Sequence, residues 1–183
     1  MLYIIRHGRT DWNDMHKLQG RTDTDLNEDG IRMAERAAKE YGEIHFDVCY
    51  CSPLKRAKQT AEILLNGRNV PIIFDERLAE MSFGICEGDE YAFTDPESPV
   101  YVFFNDPANY DSPPEGAESI KELFERTGGF IREVIDPLLA DDKDVLIVGH
   151  GAMNSSIVCQ VKGRGPADFW NEGIENCRLI RLK

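Results

Sequence analysis

Apolar residues in this chain gather in short runs that break off at charged or glycine-rich junctions. Leu2 to Ile5 is one such run, too brief for a helix and suited to a buried strand, and it stops at Arg6-His7-Gly8. The polar stretch from Gly8 to about Asp25 predicts a loop with at most a turn of helix. Asn27 is placed to cap a helix whose first turn carries Glu28 and Asp29, with Leu26 able to staple against Ile31 and Gly42 to close the far end. A second strand is predicted over Phe46 to Cys51, after which Ser52-Pro53 reads as a cap residue followed by proline at the first helical position. Ala57, Ala61 and Leu64 fall at helical spacing, which carries that helix to about Leu65 and sets Arg56 in its first turn, facing the loop end rather than the core.

Pro71 to Phe74 predicts a third short strand. Residues 85–115 differ: they are acidic, hold prolines 96, 99, 107, 113 and 114, and scatter aromatics without a period, so they predict a partly helical lid or rim whose rings form a small satellite core. Periodicity returns near Ala117 and predicts a helix toward Leu139, with a kink or break at Gly128-Gly129 and an end trimmed by Pro137. Asp144 to Val148 is the clearest buried strand, and its junction, Gly149-His150-Gly151, repeats the opening pattern before a helical segment over about 152–161. A short helix at Pro166 to Trp170 and a final strand over about Ile174 to Leu182 complete the chain. Strands alternating with helices predict an α/β fold, a three-layer α/β/α sandwich with a largely parallel central sheet, as a single domain over 1–183. In such a sheet the carboxyl ends of the strands line a crevice.

Composition narrows the partners. A formal charge of −12 and a pI near 4.8 repel polyphosphates and anionic membranes, so neither nucleic acid nor membrane is an expected partner and any phosphate site must be local. Five cysteines, at 49, 51, 86, 159 and 177, lack zinc or disulfide spacing and read as reduced, mostly buried thiols. The opening apolar run is too short for a secretory signal, and no stretch approaches the roughly 18 apolar residues of a membrane span, which makes the cytoplasm the expected compartment. Gly149-x-Gly151 is not a dinucleotide fingerprint, because Asn154 stands where the third glycine belongs.

A parallel sheet would bring Arg6 and His7 to the end of one strand, His150 to the end of another and Arg56 just past a third. Four groups that are or can become cationic then converge with two helix amino termini, and that is a site for an anion such as a phosphoryl group. Arg9, Arg21 and Arg68 read as solvated charges, and His16 and His45 as structural. The ordered set runs Arg6-His7-Gly8-Arg9-Thr10-Asp11-Trp12-Asn13, Gln19-Gly20, Asp25-Leu26, then Ser52-Pro53-Leu54-Lys55-Arg56-Ala57 with Lys58-Gln59-Thr60-Ala61. It continues through Leu78-Ala79-Glu80, Phe83-Gly84, Glu87-Gly88, Glu115-Gly116-Ala117-Glu118-Ser119, Val148-Gly149-His150-Gly151 and Asn176-Cys177. In that order and over nearly the whole chain, it resembles the histidine phosphatase superfamily, in the branch that includes cofactor-dependent phosphoglycerate mutases.

The resemblance implies a phosphoglycerate mutase-like fold and a division of labour. His7 would be the nucleophile that forms a phosphohistidine. Arg6, Arg56 and His150 would grip the equatorial oxygens, and Glu80 would act as proton donor and then base. Asn13, Gln19, Gly20 and the Gly151 amide would line the phosphate or the adjoining substrate. No metal and no cofactor are implied. The expected activity is a phosphatase acting on small phosphorylated metabolites, because Glu80 is followed by Met81-Ser82-Phe83-Gly84, whereas mutases of this type carry a basic and aromatic stretch there and tend to be longer. Phosphoglycerate mutase-type transfer is the first alternative. A non-catalytic phosphoester-binding module is the second, disfavoured because every expected catalytic residue is present. The substrate itself is not readable, and the 85–115 insertion and the loop at 9–25 are where specificity is expected to lie.

Overall fold

The computed structural model describes residues 1–183 and places five strands in one sheet: β1 (Leu2–Arg6), β2 (Val48–Cys51), β3 (Ile72–Phe74), β4 (Val145–Gly149) and β5 (Leu179–Arg181). Their order is β3-β2-β4-β1-β5, with every neighbouring pair parallel except β1 and β5. Strand side chains alternate between faces, and the two central strands use both faces for the core. Leu2, Ile4, Val145 and Ile147 belong to one buried cluster, whereas Ile5, Leu146 and Val148 belong to another. These positions read as unbroken apolar runs for that reason.

The second of these clusters is closed by α2 (Glu28–Glu40) and α3 (Lys55–Leu64) through Ala34, Ala37, Ala57, Ala61 and Leu64. The first is closed by α5 (Ile120–Phe130) and α7 (Gly151–Val161) through Phe130, Met153, Ile157 and Val158. The three-layer α/β/α sandwich is thus present. Chain leaving β1 runs into α2 on one face, and chain leaving β4 runs into α7 on the other. Because β1 and β4 are neighbours, their connections part to opposite sides and open a crevice at their carboxyl ends.

Local signals mostly landed where the sequence put them. Asn27 caps α2, its side chain accepting from the Gly30 amide at 2.9 Å, and a one-turn helix, α1 (Asp11–Asp14), sits in the long loop. Three expectations shift. Ser52 does not cap α3: the cap position falls at Leu54 and makes no side-chain bond, because the Ser52 hydroxyl is used elsewhere. Gly42 does not close α2, which ends at Glu40 with Tyr41 as its cap. The final strand is only Leu179–Arg181, with an isolated Arg6–Asn176 bridge before it and a left-handed turn at Cys177 (φ 56°) between the two.

The helix expected over 117–139 does not break at its glycines, and α5 runs through both of them to Phe130. Gly128 faces α7, where a Cβ would meet the movable end of the Gln160 side chain at 2.4 Å, and Thr127 and Ser156 share a hydroxyl contact of 2.8 Å beside it. The irregularity comes later, as a π-helical stretch over Ile131–Ile135 that precedes Pro137, a residue with no N–H to give, in α6 (Asp136–Ala140). Residues 85–115 hold α4 (Tyr101–Asn105) and a 3₁₀ turn at Pro107–Asn109. They wrap the fully buried Phe103, whose ring lies 5.3–5.4 Å from those of Phe83, Tyr110, Phe169 and Trp170. All five cysteines are free and buried, and no helix is long and apolar enough to cross a membrane.

Candidate active site

The crevice between β1 and β4 holds a cavity of about 220 Å³ with Arg6, His7, Arg56, Glu80 and Gly151 around its floor. In-register pairing of Arg6 with Gly149 sets His7 and His150 side by side, ring centroids 5.1 Å apart, as the residues next after each strand. A Cβ at Gly8 would come 2.5 Å from the Gly30 carbonyl oxygen, so only glycine lets the chain leave His7 across the first turn of α2. The Gly8 amide donates to Thr60 Oγ1 at 3.0 Å, and Asn176 Nδ2 donates to the His7 carbonyl at 2.7 Å. His7 is therefore clamped from both sides.

Within that clamp the ring has one orientation. Nδ1 lies 2.7 Å from the Gly8 carbonyl oxygen, which accepts but cannot donate, so Nδ1 carries the hydrogen and Nε2 keeps its lone pair. Arg56 Nε donates to that Nε2 at 3.2 Å. Burial, then the charges of Arg56 and Arg6, hold the His7 pKa well below the usual imidazole value, against a smaller opposing effect of the Gly8 bond. His7 is a neutral ring with its lone pair facing the cavity.

Arg56, expected to face the loop end, is fully buried. Its guanidinium donates to the carbonyls of Thr22 at 2.9 Å and Gly20 at 2.7 Å, and burial lowers its pKa to about 10. Glu87 fixes the turn that supplies those carbonyls: its carboxylate accepts from the amides of Arg21, Thr22 and Phe83 at 2.8–3.1 Å and from the Thr22 hydroxyl at 2.6 Å. Arg6 is held through Nη1 by the Ile174 carbonyl at 3.0 Å, and its buried Nε has no protein partner. Asn13 Oδ1 accepts from the Thr10 amide and hydroxyl, and Gln19 Oε1 from the Thr10 and Thr24 hydroxyls. Both amides, which line the cavity with Gly20, thereby keep their N–H groups as the ends to offer.

Glu80 joins the two halves of the site. Its carboxylate accepts from the amides of Met81 and Met153 at 2.9 Å and Ala152 at 3.2 Å, which seats it at the amino terminus of α7. His150 departs from expectation in one respect: it is wholly buried and lies beneath the cavity rather than along it. Its Nε2 is 2.7 Å from Ser52 Oγ, and its Nδ1 is buried without a partner. Burial, followed by Arg56 and the neighbouring His7, holds its pKa well below the usual value too.

Sequence reasoning missed Ser52, Thr60, Asn176 and Glu87 as supports, since each acts by contacts 52 to 169 residues away. It also read the rings of the 85–115 segment as a satellite core alone. Phe103 and Tyr110 are core, but Phe93 and Phe104 line the cavity together with Phe83 and Trp170. Arg21 and Arg68 are not free charges: Arg21 Nε donates to the Glu80 carbonyl at 3.2 Å, and Arg68 lies over the Phe46 ring at 4.9 Å. Chemically, two guanidinium groups, a neutral imidazole lone pair and a carboxylate converge on one small volume. Such a set can bind a tetrahedral anion, attack its centre and move a proton.

A family model described as histidine phosphatase superfamily (branch 1) matches residues 2–183. The chain is 30% identical over 178 residues to phosphoserine phosphatase 1 of Hydrogenobacter thermophilus, covering 96% of this chain and 82% of that protein. It is 32% identical over 171 residues to a 2,3-bisphosphoglycerate-dependent phosphoglycerate mutase of Cytophaga hutchinsonii, covering 92% and 80%. Among solved structures, Bacillus stearothermophilus YhfR superposes with a TM-score of 0.85 at 31% identity, over 97% of this chain and 88% of that one.

Proposed function

The chain belongs to the histidine phosphatase superfamily, and from that premise we propose that it hydrolyses small phosphomonoesters through a phosphohistidine at His7. The orientation of the His7 ring carries this reading: a neutral imidazole whose Nδ1 is tied to Gly8 and whose Nε2 meets Arg56 across the cavity floor. As a phosphoryl group arrives, the Arg56 N–H turns from Nε2 to a phosphoryl oxygen, which frees the lone pair where it is needed. Nε2 then bonds to phosphorus as the ester P–O bond breaks, and Glu80, which enters this step in its protonated form, gives that proton to the departing alkoxide and is left as a carboxylate. Water attacks the phosphohistidine in turn, losing its proton to the Glu80 carboxylate, and the N–P bond breaks to return neutral His7. Arg6, Arg56, His150 and the Gly151 amide hold the three equatorial oxygens in both steps, with charge-assisted bonds each worth about 1.5–3 kcal/mol.

Phosphoglycerate mutase-type transfer is the competing reading, and a relative of that name is as similar as the phosphatases. Hydrolysis is favoured by the chain after Glu80: Met81 and Phe83 are buried there, and the nearby cations are already paired, Lys17 with Glu90 and Arg21 with the Glu80 carbonyl and Glu118. The test supplies 3-phosphoglycerate with its bisphosphorylated primer beside a panel of phosphomonoesters. Phosphate release from the panel is expected, while isomer exchange without release would replace the phosphatase reading with the mutase one. Glu80→Gln should slow an alkyl phosphate far more than p-nitrophenyl phosphate, whose leaving group hardly needs a proton. Equal losses on both would remove Glu80 as the acid.

A further inference from the structure

The cavity is lined by two chemically unlike sets of residues. Along with the arginines, aromatic rings line it: those of Phe93 and Phe104 meet at 4.6 Å, and Phe104 stacks on Trp170 at 5.8 Å and 19°, forming a continuous aromatic arc. The indole N–H of Trp170 is turned away to the Phe103 carbonyl at 3.0 Å, so the indole offers only its apolar surface to the cavity. Beyond Arg6 and Arg56, the one lining cation, Lys17, already faces the Glu90 carboxylate at 3.4 Å, and Arg21 is committed to the Glu80 carbonyl and to Glu118. A substrate carboxylate lying against these rings would lose water and gain no counter-charge, which is costly. At about 220 Å³ the cavity is also smaller than the roughly 300–1,000 Å³ of drug-sized ligand sites, while an apolar space of about 150 Å³ suffices for a benzene ring.

We propose, building on the phosphatase reading, that the preferred substrates are monophosphates of compact alcohols bearing one flat apolar or aromatic group, which seats against Phe93, Phe104 and Trp170. Carboxylated phosphoesters of the phosphoserine or phosphoglycerate kind are then poor substrates, as are nucleotides, which are too large. Specificity is set by the wall, whereas the arginine floor treats all phosphoryl groups alike.

Binding and turnover separate this inference from the reading beneath it. Affinities of benzylphosphonate, ethylphosphonate and 3-phosphonopropionate, which cannot be hydrolysed, are measured by calorimetry. Benzylphosphonate is expected to bind about tenfold more tightly than ethylphosphonate, and 3-phosphonopropionate most weakly. Hydrolysis of benzyl phosphate, ethyl phosphate and 3-phosphoglycerate, all esters of primary alcohols, should rank the same way in kcat/KM. Phe93 sits at the partly exposed rim, so Phe93→Ala tests the wall with little risk to folding, and it should cut the benzyl-to-ethyl ratio about threefold. Phe93→Lys should move preference toward the carboxylated compound. Equal affinity for benzyl- and ethylphosphonate, or tighter binding of 3-phosphonopropionate by the unaltered protein, overturns the inference. Failure to release phosphate from any ester, with the phosphonate ranking intact, overturns the phosphatase reading and leaves the wall standing.

Discussion

The two strand-to-glycine junctions, Arg6-His7-Gly8 and Gly149-His150-Gly151, look alike in sequence and lie side by side in register, yet they place their rings differently. After His7 the chain turns into a loop that presses on Gly30, and the ring is tied by its own neighbour's carbonyl so that Nε2 meets the cavity. After His150 the chain turns at once into α7, and the ring is drawn under the floor by Ser52, with Nδ1 left unpartnered. In the reaction proposed above, the first ring attacks and the second holds an oxygen. The segment that leaves each histidine, loop or helix, goes with the different surroundings of the two rings.

Removing each ring is the most direct way to break this comparison. His7→Ala should lower kcat by at least about ten-thousandfold and abolish any covalent label after denaturation at high pH, as expected when a nucleophile is deleted. A loss below about tenfold in steady-state assays would move the attack elsewhere. His150→Ala should cost roughly 100- to 1,000-fold, the scale for one oxyanion partner, while the label on His7 still forms in a single turnover. Loss of the label in that variant would make the two rings equivalent.

Acid should act on both junctions alike, because each ring is kept neutral by burial and by the arginines. The unfolded chain protonates these rings near pH 6.5, ahead of the folded one, so stability is complete above that value and falls as pH drops toward the lowered folded pKa values. Each ring should contribute a slope of up to about 1.4 kcal/mol per pH unit in that window. Urea unfolding between pH 7.5 and 5 measures it, and either alanine variant should show a visibly shallower decline. An unchanged slope in both would mean that neither ring is held neutral. The smallest effect belongs to Ser52→Ala, which removes one buried hydrogen bond to His150 and should reduce kcat by roughly 2- to 10-fold. No change in kcat there would show that His150 is held by packing alone.

Much of the fold was legible because its signals are local. The apolar runs at 2–5 and 144–148, the Asn27 cap and the helical spacing of Ala57, Ala61 and Leu64 depend on near neighbours in the chain, and each element formed within a few residues of its expected place. Signals with two physical uses misled. Ser52 before a proline has the form of a helix cap, but its hydroxyl is worth more beneath His150, and Gly128-Gly129 has the form of a helix break, but the first glycine is a contact surface for α7. The aromatics of 91–110 were similarly ambiguous, since a ring that fills a core and a ring that lines a cavity are written with the same letter.

The order of residues along the chain determined that Arg6 ends a strand and that His7, Arg56 and His150 come after strands, since a strand's end is set by where its apolar run stops. It determined also that a doubly covered sheet would collect them at the carboxyl ends of its strands. Only the tertiary structure decided that His7 Nε2 faces the cavity while His150 Nε2 is tied to Ser52, that Glu87 braces the turn holding Arg56, and that an aromatic arc lines the cavity beside an already paired Lys17. Those outcomes depend on contacts between segments far apart in the chain, where orientation comes from packing and from hydrogen bonds that no local pattern encodes.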